Sequence, residues 1–329
     1  MAEAGEFDII VYGATGFTGR LVAEYFVQHY GGRKDAPKWA MAGRSLDKLA
    51  EVRDLIGAPA DTPLVVADAS DPASLDMMAH RTRVVLTTVG PYQLYGSDLV
   101  NACAKAGTAY ADLCGEPGWM REMIDAHQDQ AQASGARITF SCGFDSIPFD
   151  LGVLFLQAEA VKRHGKPAPR VKGRVRKMQG GASGGTIASL TETLKAVAKK
   201  PSLALLLKSS FALTPGFEGP HQPSGLIPEY DHATGTWTAP FVMAPINTKN
   251  VHRTNFLLGH PWGSDLVYDE MVMTTIGEAG KAMAEAMAKA NPFGESKLQP
   301  GEGPSKEERE NGFYDILFVD IKMPGMGGF

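Results

Sequence analysis

An apolar run, Phe7-Asp8-Ile9-Ile10-Val11-Tyr12, leads directly into Gly13-Ala14-Thr15-Gly16-Phe17-Thr18-Gly19. A segment with Leu21, Val22, Tyr25 and Phe26 on one helical face follows. This order of buried strand, glycine turn and amphipathic helix restricts the chain more than any other feature. Gly13 permits a tight turn, Gly16 lets backbone approach a diphosphate, and Gly19 lets the helix pack close to a sheet. The helix start then offers unsatisfied N–H groups and partial positive charge to an anion.

The same alternation continues through the first half. Lys38 to Ala42, Leu64 to Ala67, Val84 to Thr88, Ala109 to Asp112 and Arg137 to Phe140 read as strands. Helical segments lie between them, including Ser45 to Leu55 with Ser45 as N-cap and Pro72 to Ala79 opened by proline. Six strands alternating with helices predict an α/β fold, an N-terminal Rossmann-type, doubly wound parallel sheet over residues 1–150. Beyond Asp150 the pattern changes to helices at Val153 to Arg163, Thr186 to Lys199, Pro201 to Phe211 and Glu278 to Ala290. Strands are expected at Arg170 to Lys177 and Phe313 to Lys322, an irregular stretch at Thr214 to Thr238, and a polar one at Pro300 to Glu310. Residues 151–329 therefore read as an α+β domain with an antiparallel sheet, serving substrate or partner.

Of the 329 residues, 44% are hydrophobic, enough for packed cores. The formal net charge of −5 argues against a nucleic-acid binder, so an anion site must be local. Cys103, Cys114 and Cys142 are odd in number and widely spaced, which fits a reducing, cytoplasmic setting. The start of the chain, Met1 to Glu6, has no secretion signal, and no run is long enough to span a membrane. Peripheral membrane contact and homo-oligomerisation are left open. No spacing of His, Cys, Asp or Glu suggests a metal.

The end of the second strand identifies the dinucleotide. NAD sites place a carboxylate there for the ribose 2′-hydroxyl. This chain has Ala42-Gly43-Arg44-Ser45, with no carboxylate to repel a 2′-phosphate and a guanidinium to bind one. The expected cofactor is NADPH. Its expected contacts are Gly13 to Gly19, including Ala14, Thr15, Phe17 and Thr18, then Arg44 and Ser45. Asp68 lies toward the adenine, and Thr88, Val89, Gly90 and Pro91 toward the nicotinamide.

These motifs, with Thr87-Thr88-Val89-Gly90-Pro91-Tyr92 and Cys142-Gly143-Phe144-Asp145-Ser146-Ile147-Pro148, resemble the saccharopine dehydrogenase-like oxidoreductases. The nearest branch resembles the bacterial trans-acting enoyl reductases. The resemblance is dense over residues 7–152 and continues through Gly180 to Thr186. It implies an NADP-binding Rossmann domain followed by an α+β domain. In that branch it implies reduction of a carbon–carbon double bond in an acyl chain carried by a partner synthase, so a small-molecule or carrier-bound acyl substrate is expected. The family usually continues past a strand like Phe313 to Lys322, whereas this chain ends at Gly327-Gly328-Phe329, as a truncated or divergent copy would.

Hydride transfer to an enoyl group builds an enolate that needs a donor. Tyr92 is a candidate; the alternative is an aromatic packed on its loop. Asp145 and Ser146 follow the sixth strand at the ligand-binding edge, though Asp145 equally suits a cap for the helix near Pro148. Cys114-Gly115-Glu116 offers a small buried thiol and a candidate acid in Glu116. Ser183-Gly184-Gly185-Thr186 is either a helix cap or a wrap around a ligand. Arg170, Lys172, Arg174 and Arg176 alternate, which puts four cations on one strand face. That face is either solvated or a dock for an acidic carrier. Tyr30 and Lys34 match a short-chain reductase pair only by chance, being remote from the nicotinamide end. The expected activity is enoyl reduction; the alternatives are imine reduction and a non-catalytic NADP-binding protein acting through partners or lipid surfaces.

Overall fold

A computed structural model describes residues 5–290, 298–299 and 301–320. The readings placed on Met1 to Ala4, Pro300, Lys322 and Gly327-Gly328-Phe329 lie outside the described residues. The chain forms two compact units, each with its own sheet.

The first unit takes residues up to Gly143 together with Ala182–Lys200 and the described part of Lys297–Gly303. In chain order it contains β1 (Phe7–Tyr12), α1 (Phe17–Tyr30), β2 (Trp39–Gly43), α2 (Leu46–Leu55), β3 (Leu64–Val66) and α3 (Pro72–His80). There follow β4 (Thr82–Thr87), α4 (Tyr92–Tyr95), α5 (Ser97–Ala106), β5 (Ala109–Ala111), α6 (Pro117–Ser134) and β6 (Ile138–Thr139). The sheet order is β3-β2-β1-β4-β5-β6 and every pairing is parallel. Ile10, the centre of β1, pairs with Ala40 on one side and Val85 on the other, and all three are fully buried. Such two-sided burial explains the continuous apolar runs. Strand order reverses between β1 and β4, where sheets of this type open a crevice beyond the strands' carboxyl ends.

The second unit contains α7 (Ile147–His164) and β7 (Arg170–Gln179), while α8 (Gly184–Lys199) belongs to the first. It continues with α9 (Pro201–Lys208), β8 (Glu229–Asp231), β9 (Thr236–Pro240) and α10 (Ala244–Leu257). It ends with β10 (Val267–Met273), α11 (Gly277–Lys289), α12 (Lys306–Glu310) and β11 (Phe313–Asp320). Its sheet order is β11-β7-β10-β9-β8. The sheet is mixed, not wholly antiparallel, because β10 runs parallel to β7. Its core packs α7 and α10 through Val153 and Val251 with Val171 and Tyr268 of the sheet, while Phe149 packs with Val175, Phe241 and Val272.

Sequence reading passes over β10 and α10 for a physical reason. β10 buries Asp269 and Glu270, and α10 buries Asn247, Lys249, His252 and Asn255, so neither shows an apolar period.

Candidate functional site

The glycine turn sits at the carboxyl end of β1. Gly13 and Ala14 donate to the Ala42 carbonyl of β2 at 2.9 and 3.1 Å, and Thr88 donates to the Tyr12 carbonyl at 3.0 Å. The turn is thus bound to the strands on both sides. Gly13 has φ +90°, and a Cβ there would lie 2.8 Å from Thr88 Oγ1. A Cβ on Gly19 would strike the Gly13 carbonyl oxygen. Both glycines are therefore steric requirements. Gly16 occupies the N-cap of α1, and no side-chain hydrogen bond caps that end.

Arg44 follows β2 and is exposed; among the described residues no ion pair holds it. Ser45 caps α2, its Oγ accepting from Lys48 N at 3.4 Å. Asp68 lies close to Arg44, and its carboxyl is held below the ordinary range by bonds from the Ser70 backbone and hydroxyl, with help from Arg44. Burial and Asp68 push the Tyr12 hydroxyl up to about 12, so β1 ends beside the same two charges. Thr88, Val89, Gly90 and Pro91 leave β4 on the other flank of the turn, Thr88 Oγ1 lying 3.4 Å from the Gly13 carbonyl oxygen. All the expected cofactor residues therefore gather at one sheet edge of the first unit. A glycine cradle that side chains would fill, an uncapped helix start and a carboxylate-free β2 end fit an NADP diphosphate and 2′-phosphate.

Helix α8 adds a wall that the sequence assigned to the other domain. Its Ser183 cap accepts from Thr186 N, and Gly184 N donates to the Glu302 carbonyl at 3.0 Å. Gly303, in the same short segment, lies against the Phe17 ring, leaving no room for a Cβ. Farther along, Ser189 Oγ is 3.8 Å from where a Cβ on Gly90 would stand. Helix α8 thus runs from the Glu302-Gly303 segment beside Phe17 to the loop after β4.

Tyr92 is buried beneath that loop, its hydroxyl donating to the Thr87 carbonyl and accepting from Leu113 N, each at 3.3 Å. Glu116, read from sequence as an acid, spends both oxygens as acceptors, from Tyr92 N at 2.8 Å and Gln93 N at 3.0 Å. Beside it Asp112 Oδ1 accepts from Cys114 N and Ser141 N, and Oδ2 from the Tyr110 hydroxyl. Burial raises the Asp112 carboxyl to about 7 against these bonds. Burial also drives the Cys114 thiol well up, so it is not a reactive thiolate.

Asp145 and Ser146 belong to the second unit. Ser146 is buried at the N-cap of α7, the position read as a potential place for Asp145. The Asp145 carbonyl accepts from Asn247 Nδ2 at 3.0 Å, and Asn247 Nδ2 also donates to Glu270 Oε2 at 3.0 Å. Burial raises the Asp145 carboxyl and lifts Glu270 to about 8. Burial, then the charges of Asp145 and Glu270, raise the Tyr314 hydroxyl, and Phe144 stacks on its ring at 5.0 Å. The structure does not group Tyr92 with Asp145 and Ser146 in one unit.

Of the alternating cations of β7, Arg170, Lys172 and Arg174 are turned inward and only Arg176 is exposed. Arg170 pairs with Asp269, Lys172 with Asp231 at 2.9 Å and Arg176 with Asp315 at 2.7 Å. Arg174 is completely buried between Asp231 at 2.7 Å and Asp269 at 2.8 Å. Burial works to raise the Asp231 carboxyl, but Lys172 and Arg174 hold it at about 2. Among the described residues no group of three or more His, Cys, Asp and Glu is gathered as a metal would need, and no helix is long and apolar enough to cross a membrane.

The saccharopine dehydrogenase NADP-binding domain model matches residues 9–138, the span that builds the glycine-turn edge. A Mycobacterium tuberculosis relative is 42% identical over 96% of this chain and 80% of its own, and its name gives trans-acting enoyl reductase activity as provisional. The trans-acting enoyl reductase of Mycobacterium ulcerans is 40% identical over 94% of this chain and 79% of its own. That of Mycobacterium leprae is 41% identical over 87% and 68%. Together with the glycine cradle and Arg44, these relationships make the chain an NADP-dependent oxidoreductase that belongs, with the trans-acting enoyl reductases, to the saccharopine dehydrogenase-like family.

Proposed function

We propose that this protein uses NADPH to reduce the carbon–carbon double bond of an enoyl thioester, presented by an acyl carrier of a partner synthase. NADPH supplies a hydride to the β-carbon, and the α-carbon then takes a proton from an acid. The names of the mycobacterial relatives support this substrate class. The carrying observation is α8. Its Ser189 adjoins Gly90, at the loop assigned to the nicotinamide, and from Gly184 to Leu194 its only charge is Glu192. Leu190 and Leu194 on this stretch are exposed. That surface suits an apolar acyl chain. An amino-acid imine would bring carboxylates and need cations there, which these three turns do not carry.

Gly13 to Gly19 receive the diphosphate on this reading, and Arg44 the 2′-phosphate. Thr88 to Pro91 border the nicotinamide. Tyr92, with its hydroxyl spent on backbone, braces that loop. Asp145, whose buried carboxyl holds its proton to higher pH than a free one, is the acid to be tested first.

The test is NADPH oxidation followed by absorbance with enoyl thioesters, free and carrier-bound, against a panel of imino acids. Turnover of enoyl thioesters, improved by the carrier, is expected. Turnover of imino acids alone would replace this reading with imine reduction.

A further inference from the structure

The loop after β4 must be held to within fractions of an ångström if it is to set the hydride geometry. What holds it is a carboxylate 24 residues away. Glu116 is 1% exposed and stands just before α6, where Pro117 fixes the chain direction. Both of its oxygens are spent on one feature, the consecutive N–H groups of Tyr92 and Gln93 immediately after Gly90-Pro91. Its own N–H rests on Cys114 Sγ at 3.3 Å, in the segment that Asp112 ties to Ser141 and Cys142. The Tyr92 hydroxyl closes the latch from the other side through Leu113 N. Without an acceptor each N–H loses the bond that fixes its place. Glutamine has the same shape but one acceptor oxygen, so it leaves one of the two N–H groups facing an amide donor.

We propose that Glu116 is the positioning residue of the nicotinamide loop. It touches neither cofactor nor substrate, and it acts by clamping Tyr92 and Gln93 so that Gly90 keeps its place beside Ser189. This inference rests on the reading of that loop as the nicotinamide border.

The test compares wild type, Glu116→Gln, Glu116→Asp and a stability control, Val100→Ala, in the fully buried face of α5. The fluorescence of bound NADPH is read alongside turnover. The expectation for Glu116→Gln is an NADPH Kd within about twofold of wild type, because diphosphate and 2′-phosphate contacts dominate it, with kcat down about tenfold or more. The emission enhancement of the bound nicotinamide falls by at least about half, as a loosened ring would give. Glu116→Asp, which retains both acceptor oxygens on a shorter stem, recovers part of both signals. Val100→Ala lowers thermal stability and changes neither. If Glu116→Gln folds and keeps wild-type emission and kcat, or if Val100→Ala reproduces its losses, the positioning role is wrong. Should Glu116→Gln fail to fold, Glu116→Ala, which removes both acceptors without setting a donor against the two N–H groups, overturns it equally by keeping wild-type emission and kcat. A wild type that gives no NADPH response removes the cofactor reading and this inference together; a wild-type response with an unaltered Glu116→Gln removes the inference alone.

Discussion

Arg174 and Asp231 meet at 2.7 Å with neither side chain exposed to solvent. Asp269 holds the same guanidinium from another side at 2.8 Å. Taking one partner from such a cluster leaves an unneutralised charge in the interior, at a cost of about 3–5 kcal/mol. Arg174→Met is therefore expected to lower unfolding free energy by that amount in chemical denaturation. A loss below about 1 kcal/mol would show that the cluster relaxes or admits water. The Asp231 carboxyl, lowered to about 2, contributes stability that is present above an ordinary aspartate's pKa and is lost as pH falls toward 2.

Glu270 has the opposite sign. Its carboxyl titrates near 8 in the folded protein against an ordinary 4.5, so the folded state binds the extra proton between those values. Stability from this group is full below pH 4.5 and declines as pH rises toward 8. Glu270→Gln keeps a neutral side chain of the same shape and removes the titration. Melting temperatures from pH 5 to 9 are expected to fall less steeply in Glu270→Gln than in wild type. Part of the slope remains, because Asp112, raised to about 7, has the same sign. Parallel profiles would place the proton elsewhere.

Arg44 is the charge expected to distinguish the two nicotinamide dinucleotides. Arg44→Ala removes a charge-assisted fork to the 2′-phosphate while sparing the glycine turn. NADPH affinity should fall about tenfold or more, with NADH affinity nearly unchanged, in a fluorescence titration. An equal loss for both cofactors would assign Arg44 to folding of the β2 edge.

Asp145→Asn tests the acid. The bond from Asn247 goes to the Asp145 main chain, so the substitution leaves it in place. With proton delivery removed, kcat for an enoyl thioester is expected to fall by about 10²- to 10⁴-fold while NADPH binding is retained. A kcat within about threefold of wild type would exclude the role.

The first sheet was legible because its signals are local. β1, the glycine turn and α1 follow one another, and each apolar run is continuous because both faces are covered. The second sheet was harder. Its central strand β10 carries Asp269 and Glu270 inward, and α10 turns Asn247, Lys249 and His252 inward, so hydropathy gives no period to read. The site divides in the same way. Gly13 and Gly19 are demanded by backbone sterics that sequence order alone displays, and Arg44 is proposed for the 2′-phosphate from its place after β2.

The chain by itself therefore determines the Rossmann sheet and the glycine cradle, because these depend on neighbours a few residues apart. Tertiary structure decides what becomes of the charged side chains. Arg174 looked like a surface cation and is sealed between two aspartates; Glu116 looked like an acid and is a backbone clamp; α8 looked like part of the second domain and lies along the cofactor edge. A charge in the interior takes its role from the partner that neutralises or bonds it, and those partners stand 23 to 95 residues away for Glu116 and Arg174.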